Sequence, residues 1–378
     1  MAWISHSASD SLYRVVVTKA LPGDRWLKTL LDAGCDVEVS PSRSILPVTE
    51  IRAAIGDHCD GVIGQLTEDW GAELFEALRA AGGKVYANYA VGYDNVDVDA
   101  ATRCGILVGN TPGVLTETTA EMAVALLFSA ARGVPEADRF VRAGKFDGWL
   151  PDLFLGKRLW GATLGILGAG RIGACFTRMV APGHDMHLIY QDVLKNDLLE
   201  AHFAAINKVR ARAGASALQC EHVTDPDEVL RRADVVSLHV PLDDSTRHLI
   251  DARRLKLMKP DAILVNTSRG PVINEADLVA HLRENPGFRV GLDVFENEPA
   301  LTPGLAEQWN AVIVPHIASA TEWTRQGMAT LAACNVAAAL RGDPMAGEFH
   351  VEEFLDRDHP ARKAPSIVNA REVGLKLS

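Results

Sequence analysis

Residues Thr163 to Gly173 read TLGILGAGRIG, an apolar run broken by Gly168, Gly170 and Gly173 in the spacing G-x-G-x-x-G. Such a run folds as a buried parallel strand turning tightly into a helix, here near Arg171. The glycines let backbone approach whatever rests on the helix N-terminus, and the ligand that suits this geometry is the pyrophosphate of a dinucleotide. Alone the spacing is a weak signal, because glycine-rich turns are common. Here a second apolar strand, His187 to Tyr190, follows and closes on Asp192, 24 positions after Gly168, where an acid meets the adenosine ribose hydroxyls. A carboxylate there accepts hydrogen bonds from both hydroxyls and repels a 2′-phosphate. The expected cofactor is therefore NADH/NAD, with NADPH weaker, and Lys195 is the nearby cation that would soften the preference.

More than 160 residues precede this fingerprint, so another domain comes first, and 378 residues exceed one ordinary core. The net charge of −11, without a dense Lys/Arg face, argues against a nucleic-acid partner. No apolar run reaches the roughly 18 to 20 residues of a membrane span. The richest, Ala120 to Ala131, carries Glu121 and reads as a buried helix. The six cysteines (Cys35, Cys59, Cys104, Cys175, Cys220, Cys334) include no C-x-x-C pair, so neither a metal site nor a disulfide framework is expected, and a reducing compartment is implied. The opening MAWISHSASD lacks the charged and apolar regions of a secretory signal.

Short apolar runs separated by helix-length segments predict an α/β chain built of two Rossmann-like doubly wound parallel-sheet domains. In the first half these runs are Tyr13 to Thr18, Val37 to Val39, Gly61 to Gly64, Val85 to Asn88 and Leu107 to Gly109. After the glycine loop come Val235 to His239, Ala262 to Asn266, Val290 to Phe295 and Val312 to Val314. One long helix is expected over Thr118 to Arg142, with Thr118 and Glu121 as a capping box. The stretch Lys195 to Glu221 breaks the rhythm and reads as an insertion.

Ligands of open α/β sheets sit at the carboxyl ends of the strands. There the strand AILVN runs into Thr267, Ser268 and Arg269, VGLDVF into Glu296, Asn297 and Glu298, and VIV into Pro315 and His316. Each residue alone would pass for a helix cap, a solvated acid or a turn histidine. Together they make a fixed cation with a carboxylate-binding fork, a proton donor, and an acid to orient it. That set suits hydride transfer to a 2-oxo acid.

The chain resembles the D-2-hydroxyacid dehydrogenase family through LGAGRIG, VNTSRGPVI, GLDVFENEP and VPHIASAT, and through NYAVGYDNVD and TETTAEMAV in the first half. The resemblance implies a nucleotide domain inserted in a discontinuous substrate domain: 1–130, then 131–318 for NAD, then 319–378. It implies catalytic roles for Arg269, Glu298 and His316, and cofactor contacts at Gly168, Gly170, Arg171, Ile172, Gly173, Asp192, Thr119, Thr267 and Asp293. Substrate contacts are implied at Ala90, Val91, Gly92 and Arg269. Trp149 is implied to reach a neighbouring subunit's site, and the usual assembly is a homodimer.

Within the family, DVFENEPALTPGL, ENPGFRVGLDVF and APSIVNAREVGL are similar to the plant and algal hydroxypyruvate reductases. This implies NADH-dependent reduction of hydroxypyruvate to D-glycerate, with glyoxylate a weaker substrate, in a mitochondrion or peroxisome, with the cytoplasm as the alternative. The chain ends Lys376-Leu377-Ser378 rather than in the peroxisomal Ser-Lys-Leu. Oxidation of D-lactate or phosphoglycerate on the same scaffold, and an NAD-sensing corepressor-like binding protein, are the alternatives.

Overall fold

The computed structural model describes residues 2–355 and 362–377; Met1, 356–361 and Ser378, the last residue of the C-terminal tripeptide, lie outside the described residues. The chain divides into two compact units, Met1–Leu115 with Ala320–Ser378, and Thr116–Ser319.

In the first unit β1 (Ile4–His6), β2 (Tyr13–Val17), β3 (Cys35–Val39), β4 (Gly61–Gly64), β5 (Val85–Asn88) and β6 (Leu107–Gly109) form one sheet. Its order is β1-β3-β2-β4-β5-β6, parallel throughout except that β1 runs antiparallel to β3. The connecting helices are α1 (Arg25–Asp32), α2 (Val48–Ile55), α3 (Ala72–Ala80) and α4 (Val98–Arg103). Helices cover both faces of such a sheet, so its inner strands read as unbroken apolar runs; every residue of GVIG and VYAN is buried. Trp70, Phe75 and Tyr86 fill the space beneath α3, with the Trp70 and Tyr86 rings 4.1 Å apart. Sequence reading missed β1 because this edge strand is short and mostly exposed.

The second unit opens with α5 (Thr116–Arg132) and α6 (Val134–Arg142). Then follow β7 (Thr163–Leu167), α7 (Arg171–Val180), β8 (His187–Gln191), α8 (Asp197–Arg212), β9 (Cys220–Val223), α9 (Pro226–Arg232) and β10 (Val235–Leu238). It closes with α10 (Ala252–Leu255), β11 (Ile263–Asn266), α11 (Glu275–Glu284), β12 (Arg289–Leu292) and β13 (Ala311–Ile313). The strands pair in parallel in the order β13-β12-β11-β10-β7-β8-β9. The order reverses between β7 and β10, the switch point at which doubly wound sheets bind ligand.

Four expectations change. The first boundary falls at 115/116 and not 130/131, because α5 packs on α7, β11 and β12; a Cβ on Gly291 would lie 2.8 Å from that of Leu126. The single helix Thr118 to Arg142 is two, broken at Gly133 (φ +61°) with a proline in the first turn of α6. The first of the two starts at Thr116, so Thr118 and Glu121 lie inside it and form no capping box. The stretch Lys195 to Glu221 is a crossover rather than an insertion: α8 leads to a seventh strand, β9. Its period was hard to read because α8 buries only Leu199 and Phe203, while Leu198 and Val209 face outward.

The chain returns to the first unit through α12 (Glu322–Arg341) and α13 (Glu352–Leu355). The alanine-rich α12 is buried almost throughout and packs on α1, β4, β5 and β6. Asn335, wholly buried, donates to Asn110 O (2.9 Å) and accepts from Ser366 N (2.9 Å). Asn369 accepts from Val108 N and donates to Ile106 O and Thr102 Oγ1, each at 2.9 Å. The C-terminal segment thus satisfies the free edge of β6, which would otherwise offer unpaired backbone groups to another chain.

Candidate active site

Residues that follow β11, β12 and β13 meet in the second unit. Gly270 decides the approach: a Cβ on it would lie 1.9 Å from the carbonyl C and O of Phe295 and 2.5 Å from Glu296 N. Only a residue without a side chain lets the loop after β11 press against the loop after β12. Arg269 immediately precedes this contact. Buried Asn266 shapes its turn by donating to Arg269 O (2.9 Å) and accepting from Ser268 N (3.0 Å) and Ser268 Oγ (2.7 Å).

His316 Nδ1 lies 2.9 Å from Glu298 Oε2, and the other oxygen of Glu298 accepts from Phe295 N at 3.0 Å. Burial acts to raise the Glu298 carboxyl, but the hydrogen bond and charge of His316, the Phe295 N–H and the charge of Arg269 together bring it below the ordinary carboxylate range. Glu298 is therefore an anion, and the His316 Nδ1 proton is directed at it. This leaves Nε2 for the reacting oxygen. His316 itself is left-handed (φ +51°), a conformation that non-glycine residues keep only when the surroundings enforce it. The enforcement comes from Asp293, whose carbonyl accepts from His316 N (2.8 Å) and whose carboxylate oxygens accept from Ile317 N (2.6 Å) and Ala318 N (2.9 Å). Burial raises the Asp293 carboxyl, opposed by those two N–H groups.

A second pair went unread in the sequence. His248 Nε2 lies 2.5 Å from Glu296 Oε1; Glu296 N donates to Glu275 Oε1 (2.7 Å) and Glu275 N donates to Glu296 Oε2 (3.0 Å). This reciprocal lock fixes the loop that carries Glu298. Acids that cap backbone N–H groups leave no periodic trace, so no sequence signal marks them as braces.

The glycine loop fits a dinucleotide. Gly168 is left-handed (φ +90°), and a Cβ there would meet His239 O at 2.6 Å, while one on Gly173 would meet Gly168 O at 2.2 Å. Gly170, at the N-terminus of α7, faces open space, leaving backbone clear for a phosphate. Arg171 is exposed beside it and Ile172 packs inward on the core. Asp192 Oδ2 accepts from Ala169 N (2.8 Å), tying the acid to the loop, and Asn196 Nδ2 donates to Ala169 O (2.7 Å). Lys195 pairs with Glu200 at 2.8 Å. Two buried polar atoms at these strand ends have no partner, Thr267 Oγ1 and His239 Nδ1. An unsatisfied hydroxyl at Thr267 is what a cofactor contact would fill. Thr119 is buried in the first turn of α5.

In the first unit the carbonyls of Ala90, Val91 and Gly92 accept from Thr111 N (2.9 Å), Asn110 Nδ2 (2.8 Å) and Asn88 Nδ2 (2.9 Å). In a trans peptide the N–H points opposite to the carbonyl, so the amides of Val91 and Gly92 face away from these anchors. Trp149, in the second unit, is 81% exposed, in a segment that also exposes Phe146, Leu150, Leu155 and Trp160. Among the described residues no helix is long and apolar enough to cross a membrane, and no cluster of His, Cys, Asp and Glu is arranged to hold a metal.

The family profile described as D-isomer specific 2-hydroxyacid dehydrogenase, NAD binding domain, matches residues 124–318. The chain belongs to the D-isomer specific 2-hydroxyacid dehydrogenase family and is an NAD-binding oxidoreductase. It is 56% identical over 365 residues to glycerate dehydrogenase of Cucumis sativus, covering 96% of each chain. It is 54% identical over 369 residues to the peroxisomal glycerate dehydrogenase HPR of Arabidopsis thaliana, covering 97% of this chain and 96% of that one. The crystal structure of a Thermus thermophilus protein matches with a TM-score of 0.78 at 37% identity, over 94% of this chain and 99% of that one.

Proposed function

We propose that this enzyme reduces hydroxypyruvate to D-glycerate with NADH, and glyoxylate more weakly. The observation that carries the reading is the His316–Glu298 pair at 2.9 Å, with Arg269 set beside Glu298 by the Gly270 contact. That both plant relatives are glycerate dehydrogenases supports the choice of acid.

Held by its pyrophosphate at the glycine loop, NADH would supply a hydride for C2 of the 2-oxo acid. Arg269 holds the substrate carboxylate through its planar fork and polarises the carbonyl oxygen. In the first unit, the N–H groups of Val91 and Gly92 are the carboxylate donors that the family resemblance implies. His316 delivers the Nε2 proton to that oxygen, and ionised Glu298 keeps the imidazolium aligned and stabilises it until the proton leaves. Asp192 selects NADH by accepting from the ribose hydroxyls.

A peroxisomal setting is proposed on likeness to the Arabidopsis protein, whose name carries that compartment, and a homodimer on the exposed apolar segment around Trp149. Imaging of the tagged full-length protein and light scattering in solution test these assignments.

The reaction is tested by NADH oxidation with hydroxypyruvate, glyoxylate, pyruvate and 3-phosphohydroxypyruvate side by side. A preference for hydroxypyruvate of about tenfold or more in kcat/KM is expected, equivalent to about 1.4 kcal/mol at the transition state. Faster turnover of another acid would reassign the substrate.

A further inference from the structure

The first unit contains a cavity of about 450 Å³ that none of the roles above uses. Its walls are Lys19, Ala20, Leu21 and Pro22 after β2, Gln65 after β4, Tyr89 after β5, and Ala320, Thr321, Glu322 and Arg325 where α12 begins. Two cations thus face one carboxylate, and exposed Glu322 is already hydrogen-bonded to Gln326 Nε2 at 3.0 Å.

The unsatisfied atoms in these walls are donors. Gln65 is 8% exposed, and its Nε2 is buried with no hydrogen-bond partner. The same holds for Arg325 Nε. Lys19 Nζ donates to Ser44 O at 2.5 Å, which leaves two of its three protons for another acceptor. Tyr89 is spoken for: its phenol donates to Arg325 O at 2.7 Å, and burial pushes its pKa up to about 12. Behind Gln65, the Glu68 carboxylate accepts from Gln65 N (2.9 Å) and Trp70 Nε1 (3.3 Å), and burial raises it toward the neutral form. Buried donors without acceptors are costly, and a ligand rich in acceptors relieves them.

We propose that this cavity binds a small oxyanion, a carboxylate or phosphate, between Lys19, Gln65 and Arg325, with Leu21 and Pro22 lining its apolar side. The site adjoins the Ala90–Gly92 loop through Tyr89, and its binding is measured without reference to the substrate, so it stands or falls apart from the assigned reaction.

The test is calorimetric titration of the NADH-saturated enzyme with inorganic phosphate and, separately, with butyrate. Saturation with NADH keeps the probes off the glycine loop. Saturable binding is expected, weakened tenfold or more in Lys19→Gln and in Gln65→Leu, with an unchanged Tm in anion-free buffer for Lys19→Gln. Tighter butyrate identifies an organic acid that uses the apolar wall; tighter phosphate identifies a phosphoryl group held by the donors alone. Lys19→Gln carries the test if Gln65→Leu does not fold. Binding of both probes at wild-type affinity in the variants, or no saturable binding, overturns the proposal.

Discussion

A Cβ on Gly270 would fall 1.9 Å from the carbonyl of Phe295, so the backbone that carries Arg269 touches the backbone that leads to Glu298. Gly270→Ala must separate the two loops or distort one of them. We expect kcat/KM to fall about 100-fold, the order reached when catalytic groups move by about 1 Å. Overpacking should also remove roughly 1–3 kcal/mol of stability. Steady-state kinetics and urea melts check both; wild-type activity would mean that the loops part without moving Arg269.

Removing the charge opposite His316 tests its orientation. Glu298→Gln should lower kcat about 100-fold, within the range general acid catalysis supplies, while the affinity for NADH stays near wild type. His316→Ala should cripple turnover and also leave NADH binding nearly intact. Fluorescence titration of NADH separates this from a structural role, since loss of cofactor binding in either variant would remove the residue from the proton path.

Cofactor choice is placed on Asp192. Replacement by Ser should shift the ratio of NADPH to NADH kcat/KM upward by about tenfold, comparable to one charge interaction of about 1.4 kcal/mol. Because Asp192 Oδ2 also holds Ala169 N, the NADH rate should drop as well. An unchanged ratio would sink the assignment.

Buried His239 gives a pH signature. Burial pushes its pKa down from an ordinary 6.5 to about 3. The unfolded chain therefore binds a proton below about pH 6.5 that the folded chain refuses until about pH 3. Stability contributed by this group is full above 6.5 and is lost as pH falls, approaching about 1.4 kcal/mol per pH unit. Between pH 6 and 4, the slope of unfolding free energy against pH should be shallower in His239→Gln by up to one proton. Parallel slopes would show that His239 is protonated in the fold.

Ser366 acts on the loop at Val91 through one intermediary. Its hydroxyl donates to Asn110 Oδ1 at 2.6 Å, and Asn110 Nδ2 donates to Val91 O at 2.8 Å. Ser366→Ala should raise the substrate KM several-fold with kcat and NADH affinity nearly unchanged. A fall in kcat alone would not fit a positioning role.

Much of this was legible beforehand. Buried strands such as GVIG and VYAN announce themselves because both faces are apolar, and Arg269 and Glu298 follow such strands, whereas His316 follows β13, a half-buried edge strand. The break at Gly133 was overlooked because an amphipathic pattern continues across it. The braces were invisible for a different reason: Glu275 and Asp293 act by capping backbone amides from distant positions, and only the folded chain shows which amides those are. Gly270 lay in view within SRGPV, yet its partner Phe295 is known only from the sheet order.

The latch on β6 bears on the order in which this protein comes into being. Asn110 waits for Asn335, 225 positions later, and for Ser366, 256 positions later. At 5–20 residues per second, translation leaves that edge open for on the order of tens of seconds, during which the whole of Thr116–Ser319 has emerged and is free to fold. The Thr116–Ser319 unit has thus left the ribosome before the edge of β6 is closed, and the loop at Val91 gains its full set of anchors only once Ser366 has been made.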